Sequence, residues 1–143
     1  MKEKVSIKGS IEINVYKHGK LIDTIKKDNL VVTNGLQMLA KLLGGTILNN
    51  VPQMVAFGTG LTTPILSDNT LTGLITKTLG TPIYPNPNQI SFPFSVLTTD
   101  PNMTVTEMGL LTANSTLFNR ILLANPIIKD TSISFTGNWT ITF

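Results

Sequence analysis

The side chains best suited to acid–base, nucleophilic or metal chemistry are few and scattered in this sequence. It has no Cys and a single His, His18, which excludes thiol chemistry, Cys-zinc sites and a multi-histidine metal site within one chain. Beyond residue 41 the carboxylates are Asp68, Asp100, Glu107 and Asp130, each isolated along the chain. Neither a Ser-His-Asp triad nor a carboxylate pair can be assembled from these groups. No catalytic residue, cofactor-binding residue or metal ligand is therefore expected, and an enzyme is the weakest functional class. His18 lies in Lys17-His18-Gly19-Lys20, a tight turn, and reads as a solvated turn residue. Gly58-Thr59-Gly60 invites a phosphate-cradle reading, but neither GxxxxGK[ST] nor the third glycine of GxGxxG follows. The two glycines are expected to let the chain turn sharply off a strand end.

One pair of opposite charges falls into register. Met103 to Leu111 and Leu117 to Leu123 flank the polar turn Ala113-Asn114-Ser115-Thr116 and predict a β-hairpin. With the turn centred between Asn114 and Ser115, Glu107 faces Leu122 and Gly109 faces Arg120, all on one face. Glu107 and Arg120 are then diagonal neighbours, with Gly109 leaving room for the Arg side chain. A structural ion pair is expected here and not a general acid or an anion site, because no second carboxylate or His lies nearby in sequence.

The elements that must position these residues are mostly strands. Ile11, Ile13 and Val15 alternate with polar residues from Ser10 to Tyr16, and a return strand runs from Leu21 to Lys26, so residues 1–28 form a basic N-terminal hairpin. Leu36, Leu39, Ala40 and Leu43 follow helical spacing, Thr33 or Asn34 can cap the start, and Gly44-Gly45 supplies the stop. This predicts a short helix over 34–44, packed on a sheet or at a subunit contact. A strand is expected at Met54 to Phe57, and residues 71–75 suit either one turn capped by Ser67 or Asp68 or a strand. The Pro-rich piece 80–89 predicts an exposed extended loop, where Tyr84 contacts a partner or covers the loop's own base. Pro93 argues for an edge position or a bulge in the strand Ile90 to Val96. Pro126 is expected to end the strand before it. Ile133, Phe135, Trp139, Ile141 and Phe143 then alternate along a final strand that belongs inside the sheet, with Gly137 marking a bulge or a close approach.

Composition agrees with an all-β chain. Of 143 residues 41% are hydrophobic and 13% are charged, against about 25% charged in a typical soluble domain. The polar surface comes from 21 Thr and 13 Asn, residues suited to pleated surfaces and to turns. The net charge of +3 is uneven: residues 1–41 hold eight Lys against four carboxylates, and residues 42–143 hold three cations against four. The lysines, unaccompanied by Arg and with only Tyr16 as an aromatic neighbour, are poor material for nucleic-acid readout. They suit a solvated hairpin face or an acidic partner protein, with Lys2, Lys4, Lys8 and Tyr84 as the candidate partner contacts. The sequence shows neither a signal-peptide pattern nor an apolar run long enough to span a membrane. The expected fold is a single domain over 1–143, mainly β: an antiparallel β-sandwich body over 45–143, with a jelly roll as one form, plus the hairpin and helix.

The order of motifs resembles a group of small structural proteins of tailed bacteriophages. The residues that carry the resemblance are NLVVTNGLQMLAKLLGG (29–45), VAFGTGLTTP (55–64), SDNTL (67–71), TEMGLL (106–111), LFNRILLANPIIK (117–129) and WTITF (139–143). The resemblance implies a non-enzymatic virion component, made in the host cytoplasm, in which Glu107, Gly109, Leu110, Arg120, Pro126 and Lys129 are scaffold positions. It implies no cofactor, a homo-oligomer with a trimer favoured, and other virion proteins such as the major capsid protein as partners. Head decoration leads, a tail, collar or short-fibre component is the alternative, and a carbohydrate-binding β-sandwich module is a second one.

Overall fold

Alternation of apolar and polar residues decides most of the chain's path. The computed structural model describes residues 6–47 and 49–143, so Lys2 and Lys4 lie outside the described residues. Strands β1 (Lys8–Lys17) and β2 (Lys20–Val31) form the N-terminal hairpin, and helix α1 spans Thr33–Leu43. Strands β3 (Pro52–Gly58), β4 (Ile75–Thr78) and β5 (Gln89–Val96) follow, then β6 (Met103–Thr112), β7 (Leu117–Lys129) and β8 (Ile133–Thr142). The return strand of the first hairpin thus runs on past Lys26 to Val31, and residues 75–78 form a strand.

The described chain is mainly β with one short helix, and its eight strands pair antiparallel in the order β4-β3-β6-β7-β2-β1-β8-β5. β2 lies at the junction. It pairs with β1 along most of its length, while its last residues, Leu30 and Val31, pair with Arg120 and Asn119 of β7. The two end strands approach each other as the chain leaves β4: Gly80 N–H donates to Pro93 O at 2.7 Å, and Ile83 and Ser91 exchange backbone bonds. The sheet is therefore nearly closed, and β5 is an edge strand in which Pro93 is tolerated.

Residues facing the interior form the main core, which includes Ile13, Phe57, Met108, Phe118, Phe135 and Trp139, all at most 2% exposed. The ring of Phe57 meets those of Phe94 and Phe135 edge-on, with centroids 6.3 and 5.6 Å apart. The Trp139 indole N–H donates to Asn29 Oδ1 at 2.8 Å, satisfying the polar atom of this buried side chain. β8 lies between β1 and β5, and the bare Gly137 lets the Phe94 ring pack against its backbone.

Four expectations change. The helix buries Gly35 and Met38 and packs Leu39 against the core, but Leu36, Ala40 and Leu43 of the expected face are exposed. Its start crosses β7 so closely that a side chain at Gly35 would strike the Phe118 carbonyl, and this contact fixes the rotation. Neither Thr33 nor Asn34 caps it: Val32 is the N-cap without a side-chain bond, and the Thr33 N–H donates to Leu66 O at 2.9 Å. Its end follows expectation, with Gly44 N–H bonded to Ala40 O and Gly45 at φ +73°. Pro126 does not end β7. It falls in a bulge where the ladder steps from Val105↔Ile127 to Glu107↔Leu122, so its missing N–H breaks no ladder bond. Phe143, finally, is half exposed instead of closing the buried alternation.

Candidate functional site

The outer face of β3, β6 and β7 carries a cluster of interlinked polar side chains, covered by the loop 59–74. Glu107 stands opposite Leu122, and Gly109 opposite Arg120. The Glu107 and Arg120 side chains are 2% and 3% exposed. Arg120 Nε and Nη2 approach Glu107 Oε2 at 2.8 and 2.7 Å. The other oxygen, Oε1, accepts the backbone N–H groups of Gly60 at 3.0 Å and Thr72 at 2.6 Å. Both carboxylate oxygens are thus fully engaged, which is how a buried charge is tolerated.

Arg120 reaches further into the loop. Its Nη1 donates to Asp68 Oδ2 at 2.9 Å and its Nη2 to Thr62 O at 2.8 Å. Asp68 Oδ2 also accepts the Ile65 N–H at 2.9 Å. The Thr106 hydroxyl lies 2.8 Å from Gly60 O and 3.2 Å from Gly58 O. The guanidinium fork and the carboxylate behind it thereby tie one covering loop to two strands.

The glycines of Gly58-Thr59-Gly60 acquire a reason in this geometry. A Cβ on Gly60 would lie 2.6 Å from Glu107 Oε2, and one on Gly58 would lie 2.5 Å from Oε1 and 2.8 Å from Thr72 O. They are bare so that backbone can close on a buried carboxylate, and the phosphate-cradle reading is unnecessary. Gly109 needs a different explanation from the expected one. A side chain there would strike Asn119 O and Leu117 Cδ1 of β7 and not Arg120. Asn119 offers its Oδ1 to the Leu110 N–H at 2.9 Å, at the point where the hairpin ladder shifts register.

Two further charged groups are absorbed by structure. Lys129 is 2% exposed, and its ammonium donates to the carbonyls of Thr98, Asp100 and Asp130 at 3.0–3.2 Å, using all three of its protons. Lys77 pairs with Asp100 at 2.6 Å across segments distant in sequence. The Lys77 ammonium and the Leu97 N–H hold the Asp100 carboxyl below its ordinary pKa. The Ser132 hydroxyl and N–H do the same for Asp130, which is exposed.

The remaining candidates lie apart from this cluster. His18 is an exposed turn residue at φ +49°, and its N–H donates to Ser132 O at 3.0 Å. Lys8 is exposed at the start of β1. Tyr84 is 74% exposed, and it lines an apolar cleft of about 290 Å³ with Met38, Leu39, Leu42, Phe92 and Phe143. Among the described residues no group of three or more His, Asp or Glu side chains gathers as a metal site, and no helix is long and apolar enough to cross a membrane. Chemically, the Glu107–Arg120–Asp68 arrangement is a clamp. Every oxygen of Glu107 and every branch of the guanidinium is committed to the protein itself. Comparison with family models, with curated proteins and with solved structures finds no match.

Proposed function

We propose that the chain is a non-enzymatic structural protein of a bacteriophage virion, a decoration or cement subunit that binds the capsid surface as a homo-oligomer, with a trimer favoured. The observation that carries this reading is the convergence of the motifs behind the resemblance. Gly58 and Gly60 of the GTG segment, Asp68 of SDNTL, Glu107 of TEMGLL and Arg120 of the following strand meet in one clamp that fixes a surface loop. Such motifs act as scaffold. In this reading the nearly closed sheet is a β-sandwich folded about β2, and its neutral Thr- and Asn-rich faces suit burial against neighbouring subunits, where free charge would cost desolvation energy.

Cryo-electron microscopy of particles assembled with and without the chain tests the proposal. Density on the head in hundreds of copies is the expected result. A few to a dozen copies at the tail, collar or fibres would relocate it within the virion, and no density anywhere would overturn it. The exposed Tyr84 on its Pro-rich loop favours a second reading, a carbohydrate-binding module. A glycan array without signal would remove that alternative.

A further inference from the structure

Helix α1 buries one side and leaves an apolar stripe on the other. Leu36, Ala40 and Leu43 are all exposed, Leu43 at 92% and Leu36 at 42%. Their spacing of four and three residues puts them in line on one helix face. The clamped loop meets the start of the helix, where the Thr33 N–H donates to Leu66 O. Leu61, Ile65 and Leu66 of that loop are 75%, 56% and 54% exposed. Arg120 and Glu107 hold the loop rigid through Thr62, Asp68, Gly60 and Thr72.

We infer that this band, the outer face of α1 with the 61–66 segment, is the surface through which one copy of the chain binds another. The inference rests on the oligomeric part of the function proposed above and names the surface that performs it. Two observations select a second copy as the occupant. The first is area: the five exposed Leu and Ile side chains of the band offer roughly 400–500 Å² of apolar surface, which is what each side of a stable interface needs when it buries about 800 Å² with slightly over half of it apolar. The second is charge. With the band at the symmetry axis of the oligomer, two-fold or three-fold, each group at its centre meets its own copy, so like charges there would repel. Residues 59–67 have no charged side chain, the neighbouring Asp68 is neutralised by Arg120, and the exposed Lys27 and Asp28, which border the segment beside Thr63 and Pro64, are of opposite sign. Lys41 lies at the flank of the stripe.

The absence of cysteine makes the test clean. Multi-angle light scattering gives the mass of the wild-type chain and of Leu36→Glu/Leu43→Glu, with circular dichroism and thermal melting to verify the fold. The expected result is an oligomer for the wild type and a folded monomer for the variant. Ala40→Cys, in the middle of the stripe, is expected to form an intermolecular disulfide under mild oxidation, whereas Lys20→Cys in the exposed hairpin turn is not. A monomeric wild type at micromolar concentration overturns the inference, and so does an oligomer that survives the double substitution with no Ala40→Cys cross-link. In the second outcome the oligomeric reading stands and only the surface is wrong. Attachment to particles is read separately by microscopy. A double variant that fails to fold leaves the cross-linking pair to decide, since Ala40→Cys and Lys20→Cys are conservative in volume or fully exposed.

Discussion

Replacing Arg120 by Met isolates the energetic meaning of the clamp. The substitution keeps most of the aliphatic stem and removes the donors to Glu107, Asp68 and Thr62. Asp68, whose side chain is 19% exposed, recovers part of its solvation from water, but Glu107 at 2% exposed does not. Breaking a buried pair from one side costs about 3–5 kcal/mol because a charge is left without its partner. The Gly60 and Thr72 N–H groups still solvate one oxygen. The lower half of that range, about 3–4 kcal/mol, is therefore expected. At about 2–4 °C per kcal/mol for a chain of this size, the melting temperature should fall by on the order of 10 °C. Urea titration followed by circular dichroism measures the loss. Glu107→Gln/Arg120→Met removes both charges and should recover at least about 2 kcal/mol relative to the sum of the single losses. Limited proteolysis at Leu61, Ile65 and Leu66 should accelerate in Arg120→Met, since the loop loses its anchors. A single-variant loss below about 1 kcal/mol, or strictly additive losses, would refute the clamp.

Gly58→Ala should cost about 2–3 kcal/mol, because the new Cβ meets Glu107 Oε1 at 2.5 Å and Thr72 O at 2.8 Å. Gly44→Ala, whose nearest neighbour is an ordinary 3.4 Å away, is the control and should stay within about 0.5 kcal/mol by urea titration. Lys129→Met should destabilise by about 2–4 kcal/mol, since the carbonyls of Thr98, Asp100 and Asp130 lose their shared donor; a midpoint unchanged in urea would contradict that role. The folded Asp100 carboxyl titrates below its unfolded value, so its contribution is present above the unfolded pKa of about 4 and disappears as pH falls through the lower folded value. Asp100→Asn should accordingly flatten the acid limb of the stability–pH curve and converge with the wild type at the lowest pH; parallel curves would exclude the Lys77 pair as the cause.

The β6–β7 register is legible in the sequence because a polar turn of fixed length and two alternating strands leave little freedom. That register alone brings Glu107 and Arg120 into proximity. The rest of the clamp leaves little trace in the local pattern. Asp68 and Thr62 lie 52 and 58 residues from Arg120, in a loop with no period that would bring it over the sheet. Gly58 and Gly60 are the available signal, since bare glycines at a strand end mark close approach as well as turning. The helix rotation escapes the sequence for a related reason. Apolar residues lie on both of its sides, and only the tertiary contact between Gly35 and the Phe118 carbonyl chooses between them. Pro126 reads as a strand terminator because nothing local marks the bulge opposite Thr106.

The scarcity of charge beyond residue 41 acquires a physical cause from these contacts. The seven charged side chains of residues 42–143 are Asp68, Lys77, Asp100, Glu107, Arg120, Lys129 and Asp130. Five of them are tied into two ion-paired groups, and Lys129 is enclosed by carbonyls. Only Asp130 presents a carboxylate engaged solely with a neighbouring Ser. The body thus uses its charge to fix loops to the sheet, and its surface is even more neutral than the composition indicates. The first hairpin does the opposite: Lys8, Lys17, Lys20, Lys26 and Lys27 are exposed, and in the β1–β2 ladder only Lys26 stands opposite a carboxylate, that of Glu12. A molecule built this way has two surfaces with different physics. Contact through the neutral helix-and-loop band gains mainly from apolar burial and should tolerate salt, whereas any contact through the hairpin is attractive to acidic surfaces and is screened within about 10 Å at ordinary ionic strength. Association through the band, as inferred above, is therefore expected to persist at ionic strengths that weaken a contact made through the hairpin.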